Sequence, residues 1–157
     1  MTVTDSTPDL DTEAVRAAAG SAVDRVVNAW AGGDADAFAA AFTASGTMVL
    51  SGDRYFRGRE DIRASMSMAL AGPFKGTRLA DEIIDLRLLA PGVAVVTTDG
   101  GILVPGEEQV AWERALRSTW VVVEQDGDWL IAAFQNGRRA DGAVSTGAAS
   151  TGAASAG

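Results

Sequence analysis

With no histidine and no cysteine in 157 residues, acid–base chemistry in this chain rests on Asp, Glu, Tyr55, Lys75 or water. Imidazole-dependent Ser-His-Asp and Cys-His nucleophile systems are excluded within one chain. So are zinc sites of the Cys/His kind and any disulfide framework. Asp53 and Tyr55, in the run SGDRYF, are the candidate catalytic residues. A carboxylate at an apolar mouth titrates high enough to act as a base; the alternative for Asp53 is a solvated turn residue. The tyrosine hydroxyl can donate a hydrogen bond to a carbonyl or a developing enolate; the alternative for Tyr55 is amphipathic packing.

Trp30 and Trp120 are candidate ligand-binding residues, because aromatic walls suit flat, apolar ligands. Ordinary core packing is the competing role for each. Asn136 either orients a ligand or caps the exit of the chain, and Arg117 either holds an anion or lies exposed on its strand. The acidic pairs Asp81-Glu82 and Glu107-Glu108 carry ligands suited to a hard cation. No spacing here resembles a calcium loop, so both pairs read as solvated charge. The glycines form neither GxGxxG after a strand nor GxxxxGK[ST], so no nucleotide site is supported. The expectation is therefore no metal, no cofactor and, if there is catalysis, cofactor-independent proton transfer.

The balance of 21 acidic against 13 basic residues, a net charge of −8, argues against a nucleic-acid partner and against an anionic membrane surface. The opening run MTVTDSTPDLDTEAV lacks the basic and apolar regions of a signal peptide. No apolar run approaches the roughly 20 residues that span a bilayer. A cytoplasmic protein is expected.

The elements that must position these residues follow from periodicity. Val15, Ala19, Ala22, Val26 and Trp30 recur at helical spacing, predicting a helix over 13–31 that Gly32-Gly33 stops. Asp34 caps a short second helix ending near Phe42, with Phe38 and Phe42 on one face. A short strand over 47–51 turns at Gly52-Asp53 into a second at Tyr55-Phe56. A third helix begins near Gly58 and buries Ile62, Met66 and Leu70. From Lys75 the period changes to 2. Strands are predicted over 77–89, 93–104 with a bend at Gly100-Gly101, 116–125 and 129–136. In the first of these, Glu82, Ile84, Leu86 and Leu88 fall on one face and Asp81, Ile83, Asp85 and Arg87 on the other.

Helices followed by consecutive strands mean an α+β domain, with three N-terminal helices packed on one face of a curved antiparallel sheet. The domain is expected over 11–138. Residues 1–10 and the Gly/Ala/Ser/Thr-rich stretch 139–157 offer little to bury and are expected to be disordered. In TWVVVE and WLIAAF both alternating sets are apolar, so both sheet faces need cover. The helices cover one. A homodimer through the convex face is expected to cover the other.

This order of elements resembles the cone-shaped fold of nuclear transport factor 2, shared by ketosteroid isomerase, scytalone dehydratase and SnoaL polyketide cyclase. RGREDIRASM resembles the turn into the third helix of that superfamily. AGPFKGTRLADEIIDLRLLAPGVAVVTTDGG and DGDWLIAAFQNGR resemble the middle and last strands of its SgcJ/EcaC branch, which includes an enediyne-pathway protein. The resemblance, over about 15–138, implies a funnel-shaped pocket between helices and concave sheet. It does not bring the isomerase carboxylates: the base position falls at Leu50 and Ser51, and the oxyanion-stabilising position among Arg117, Thr119 and Trp120. Asp53 lies just past the first of these positions. Trp30, Asp53, Tyr55, Trp120 and Asn136 are expected to converge on the funnel. The function implied is that of a small-molecule pocket protein of bacterial secondary metabolism. It would act on a polyketide or polyene intermediate by isomerisation, cyclisation or dehydration, or carry such a molecule without catalysis. An interaction module whose cone is filled by its own side chains is the third possibility.

Overall fold

The structure, a computed structural model, describes residues 8–140; the N-terminal stretch 1–7 and the tail from 141 lie outside the described residues. Helix α1 (Pro8–Ala31) begins five residues before the predicted start. It buries Ala19, Ala22, Val23, Val26, Ala29 and Trp30, the stripe read from the sequence. The carboxylate of Asp34 accepts from Ala37 N at 2.9 Å and caps α2 (Ala35–Ala40). Strand β1 (Phe42–Leu50) follows almost at once and turns into β2 (Arg54–Arg57). Helix α3 (Arg59–Ala71) buries Ile62, Met66 and Leu70 at i, i+4, i+8. The Arg59 guanidinium donates to the Phe42 carbonyl through Nε (3.0 Å) and Nη2 (2.6 Å), fixing the start of α3 on the start of β1. Four long strands complete the chain: β3 (Arg78–Ala90), β4 (Val93–Leu103), β5 (Ala115–Gln125) and β6 (Asp128–Arg138). No described helix is long and apolar enough to cross a membrane.

The six strands form one sheet in the order β2-β1-β6-β5-β4-β3, with α1, α2 and α3 against its concave face. Two expectations change here. The sheet is mixed rather than wholly antiparallel, because β1 runs parallel to β6, with Met48 beside Phe134. These strands are far apart in sequence, so no hairpin dictates their direction. β1 also begins at Phe42 rather than Thr47, since the chain enters the sheet where α2 was expected to continue. Phe42 keeps its predicted partner, stacking on Phe38 with ring centroids 5.8 Å apart.

At Gly100, where a bend was expected, the β3 backbone leaves no room for a side chain. A Cβ at position 100 would lie 1.8 Å from the Ala80 carbonyl oxygen and 2.9 Å from the Asp81 Cα. Gly100→Ala must therefore push β3 away, backbone against backbone. The expected result is a loss of about 2–3 kcal/mol, the upper part of the range for overpacking, read as a melting temperature lowered by roughly 5–10 °C. An unchanged melting temperature would show that β3 does not sit this close.

Candidate functional site

The concave face is organised in rows across neighbouring strands. The deepest row is Val96, Trp120, Phe134 and Met48, on β4, β5, β6 and β1. One step nearer the mouth, Thr98, Ser118 and Asn136 stand side by side. The next row is Gly100, Leu116 and Arg138. A cavity of about 230 Å³ lies over these rows, closed above by Val26 and Trp30 of α1, Phe38 of α2, Met66 of α3 and Phe74 of the following loop. An apolar cavity of about 150 Å³ holds benzene, so this one has room for a fused two-ring molecule or one end of a longer chain.

Three of the five residues expected to converge do so: Trp30, Trp120 and Asn136 line the cavity. Trp30 turns its N–H outward to Thr77 Oγ1 (2.9 Å) and packs its ring on Phe74, centroid to centroid 5.1 Å. Trp120 is fully buried against Phe134, 4.3 Å between centroids. The Asn136 side-chain oxygen accepts from Ser51 N at 2.9 Å. A backbone N–H can only donate, so the amide is oriented and its NH₂ is left for the cavity.

Asp53 and Tyr55 are placed elsewhere. Asp53 sits exposed in the β1–β2 turn with φ of 62°. Tyr55 is 56% exposed. The hairpin register explains it: Tyr55 stands opposite Val49, whereas Phe56 stands opposite Met48 and Arg54 opposite Leu50. Side chains alternate between faces, so Arg54 and Phe56 share the concave side with Met48 and Leu50, and Tyr55 points away. Arg117 also lies outside the cavity, forked onto Asp99 at 2.6 and 2.8 Å and exposed. That ion pair holds the Asp99 carboxyl below its ordinary range. Glu107 is bound by Arg114 rather than solvated, and its carboxyl is likewise held low.

The carboxylate inside the cavity is Asp81. Burial pushes it up to about 6, a hydrogen bond from Thr98 pulls it down, and the nearby Asp99 charge adds to the rise. Thr98 Oγ1 donates to Asp81 Oδ1 at 2.8 Å, and Trp120 Nε1 donates to the same Thr98 oxygen at 3.0 Å. An indole N–H only donates, so the threonine proton is committed to the carboxylate. The second oxygen of Asp81 makes no hydrogen bond to a described side chain. Ser118 is 4% exposed, lines the cavity and makes no side-chain hydrogen bond among the described residues. It stands directly opposite Asn136, and such cross-strand pairs have Cα atoms about 4.5–5.5 Å apart. The site thus combines a high-titrating carboxylate with two hydrogen-bond donors in an apolar enclosure.

Asp81 was hidden by a change of parity. The β3–β4 register shifts between Ile83 and Asp85. Leu79 and Asp81 before the shift, and Leu86 after it, then share the helix-covered face. Gly20 of α1 reports both sides of the shift, its ideal Cβ falling 3.2 Å from Ile83 Cδ1 and 3.9 Å from Leu86 Cδ1. Strict alternation had set Asp81 opposite in face to Leu86. Ser118 had a usable signal, since it is two residues from Trp120 on the same strand face.

A curved sheet closed by three helices over an apolar cavity with convergent polar groups defines a small-molecule pocket fold. A family profile described as a SnoaL-like domain matches residues 20–135, and the chain belongs to that family. No curated protein matches it. Among solved structures, it is similar to a domain of unknown function with a cystatin-like fold from Nostoc punctiforme, with TM-score 0.73 and 23% identity over 95% of this chain and 88% of that one. An NTF2-like protein with a cystatin-like fold from Novosphingobium aromaticivorans gives TM-score 0.72 and 15% identity, over 93% of this chain and 97% of that one. A ketosteroid isomerase-like protein from Erwinia carotovora atroseptica gives 0.62 and 18%, over 80% and 97%. At these identities the likeness shows the fold alone.

Proposed function

We propose that the protein binds a small, largely apolar carbonyl compound in the cavity and moves a proton on it, with Asp81 as the base. The observation that carries this reading is the Asp81 carboxylate on the wall of an apolar cavity, held on one oxygen by Thr98 and open on the other. The free Oδ takes a proton from the carbon beside the carbonyl. The C–H electron pair becomes the C=C bond of an enolate, and the charge moves to the carbonyl oxygen. The Ser118 hydroxyl and the Asn136 amide donate to that oxygen, as preorganised donors do for developing oxyanions. Return of the proton at a more distant carbon is isomerisation. Attack of the enolate on a second carbonyl is cyclisation. Loss of a β-hydroxyl, which leaves as water with the Asp81 proton, is dehydration.

The substrate class we assign is a polyketide- or polyene-derived intermediate, of the enediyne type where the SgcJ/EcaC-like strings are taken as the guide. SnoaL-like family membership supports it. Trp120 and Phe134 supply a wall suited to a conjugated chain. The cavity volume limits the buried part to one end of such a molecule. The test is solvent deuterium exchange into the α-positions of 2-tetralone, a fused two-ring ketone, followed by NMR with the wild type and Asp81→Asn. Exchange by the wild type alone supports the base. Binding of 2-tetralone without exchange by either protein favours the carrier instead.

We also propose a homodimer through the convex face. Val93, Val95, Val121, Val123 and Ala133 are only half-buried there in the single chain. Together they make an apolar patch of the kind monomers avoid. Light scattering should give twice the chain mass at micromolar concentration; a monomer would remove the claim.

A further inference from the structure

Three arginines line the cavity of this acidic chain, and two of them are free of ion pairs among the described residues. Arg54, Arg114 and Arg138 all line it, against one acidic side chain at the rim, Glu113. Arg114 is neutralised by Glu107, which it grips through both carboxylate oxygens. Arg138 donates through Nη2 to the backbone oxygen of Glu113 at 2.7 Å and makes no ion pair among the described residues. Arg54 makes neither a side-chain hydrogen bond nor an ion pair among the described residues. Two guanidiniums thus face one carboxylate at the rim of a protein whose net charge is −8.

The sheet register sets where these charges stand. Arg54 is opposite Leu50, and Leu50 follows Val49, whose partner on β6 is Gln135. Arg54 therefore lies across β1 from Asn136. Arg138 lies two residues beyond Asn136 on the same face of β6, opposite Leu116. Arg54 thus ends the Ser118–Asn136 row on its β2 side, and Arg138 stands one row further from the buried tryptophan. A molecule seated with its apolar end on Trp120 and Phe134 and its reacting carbonyl at Ser118 and Asn136 presents its far end to them.

Resting on the proton-transfer reading for the choice of site, we propose that the ligand carries a terminal oxyanion, a carboxylate or a phosphate, held at the rim by Arg54 and Arg138. Guanidinium groups match both anions through forked, charge-assisted hydrogen bonds. The anion also fixes the direction in which the ligand enters, since its charge is excluded from the apolar depth.

The test uses three probes of one ring system: 2-naphthoate, 2-naphthyl phosphate and the uncharged 2-naphthylmethanol. Isothermal titration calorimetry at low ionic strength compares the wild type with Arg54→Gln and with the Arg54→Gln/Arg138→Gln pair. The expected result is that an anion binds on the order of tenfold more tightly than the alcohol, and that added salt erodes the difference. Arg54→Gln should remove part of it and the double variant all of it. Arg54 is exposed and bonded to nothing described, so the single variant keeps the fold. Preference for the naphthoate assigns the anion as a carboxylate, and preference for the phosphate ester assigns a phosphorylated ligand. Alcohol binding equal to that of both anions overturns the proposal while leaving the cavity reading intact, as does an anion preference that survives in the double variant. Failure of all three probes to bind overturns both.

Discussion

Asp81→Asn is expected to lower protein-catalysed α-proton exchange by about 10²–10⁴-fold, the usual contribution of a positioned general base. The substitution is nearly isosteric. The Asn side-chain oxygen can still accept from Thr98, whose own oxygen still accepts from Trp120, so the local hydrogen bonds persist. What disappears is the basic lone pair. The pH dependence gives an independent check. With the carboxyl pushed up to about 6, the active, ionised form grows as pH rises through that value and exchange levels off above it. A profile flat from pH 4 to 8 after subtraction of solvent-catalysed exchange would exclude Asp81 as the base.

The same variant should gain stability where the wild type is most active. Asp81 titrates near 6 in the folded protein, against an ordinary value of 3.8. Below about 3.8 both folded and unfolded chains hold the proton and there is no penalty. Between 3.8 and 6 only the folded chain holds it, so stability falls as pH rises. Above 6 the full cost of the buried charge is present, on the order of 2–3 kcal/mol for such a shift. Asparagine never carries this charge. Asp81→Asn should therefore unfold at higher denaturant concentration than the wild type at pH 8, with the gap closing toward pH 4. Asp99 and Glu107, held low by arginines, contribute the opposite slope to both proteins and cancel in the comparison. Equal midpoints at pH 8 would mean that the carboxylate is better solvated than its place on the cavity wall implies.

How far the site could be read from the residues depended on what set each side chain's direction. Trp30 was legible because one unbroken helix carries it in phase with Val23 and Val26. Trp120 and Asn136 were legible because β5 and the end of β6 keep their pairing there, the β5–β6 shift falling deeper, between Val121 and Val122. Asp81 was not, because the shift after Ile83 reverses the parity of β3 and a one-residue change of register exchanges faces. Nothing local to LADEIIDLRLL announces that irregularity; it follows from how β4 lies beside it. Tyr55 failed for the complementary reason: its distance from β1 along the chain was clear, but its face depended on the hairpin register. The same division holds for the fold. The helices and long strands follow from periodicity within each segment, whereas the parallel β1–β6 pairing joins segments some eighty residues apart and leaves no local pattern.

Trp120→Ala should produce the largest loss of stability of any single change at the site. The side chain is 1% exposed, packs on Phe134 and forms the middle of the deepest row. Truncating a buried tryptophan costs about 3–5 kcal/mol, the transfer of its surface plus the void left behind. For a chain of this size that is roughly 6–20 °C of melting temperature. Loss of function in that variant would be ambiguous, and Trp120→Phe resolves it. Phenylalanine keeps the aromatic contact with Phe134 but removes the N–H that polarises Thr98. The Thr98 hydroxyl is then freer to turn from Asp81, and the hydrogen bond that lowers the Asp81 titration is weakened. The midpoint of the exchange profile should rise above about 6 while the protein remains folded. A fold retained in Trp120→Phe with the midpoint unmoved would mean that Trp120 shapes the cavity without tuning the base, the Thr98 hydroxyl holding Asp81 unaided.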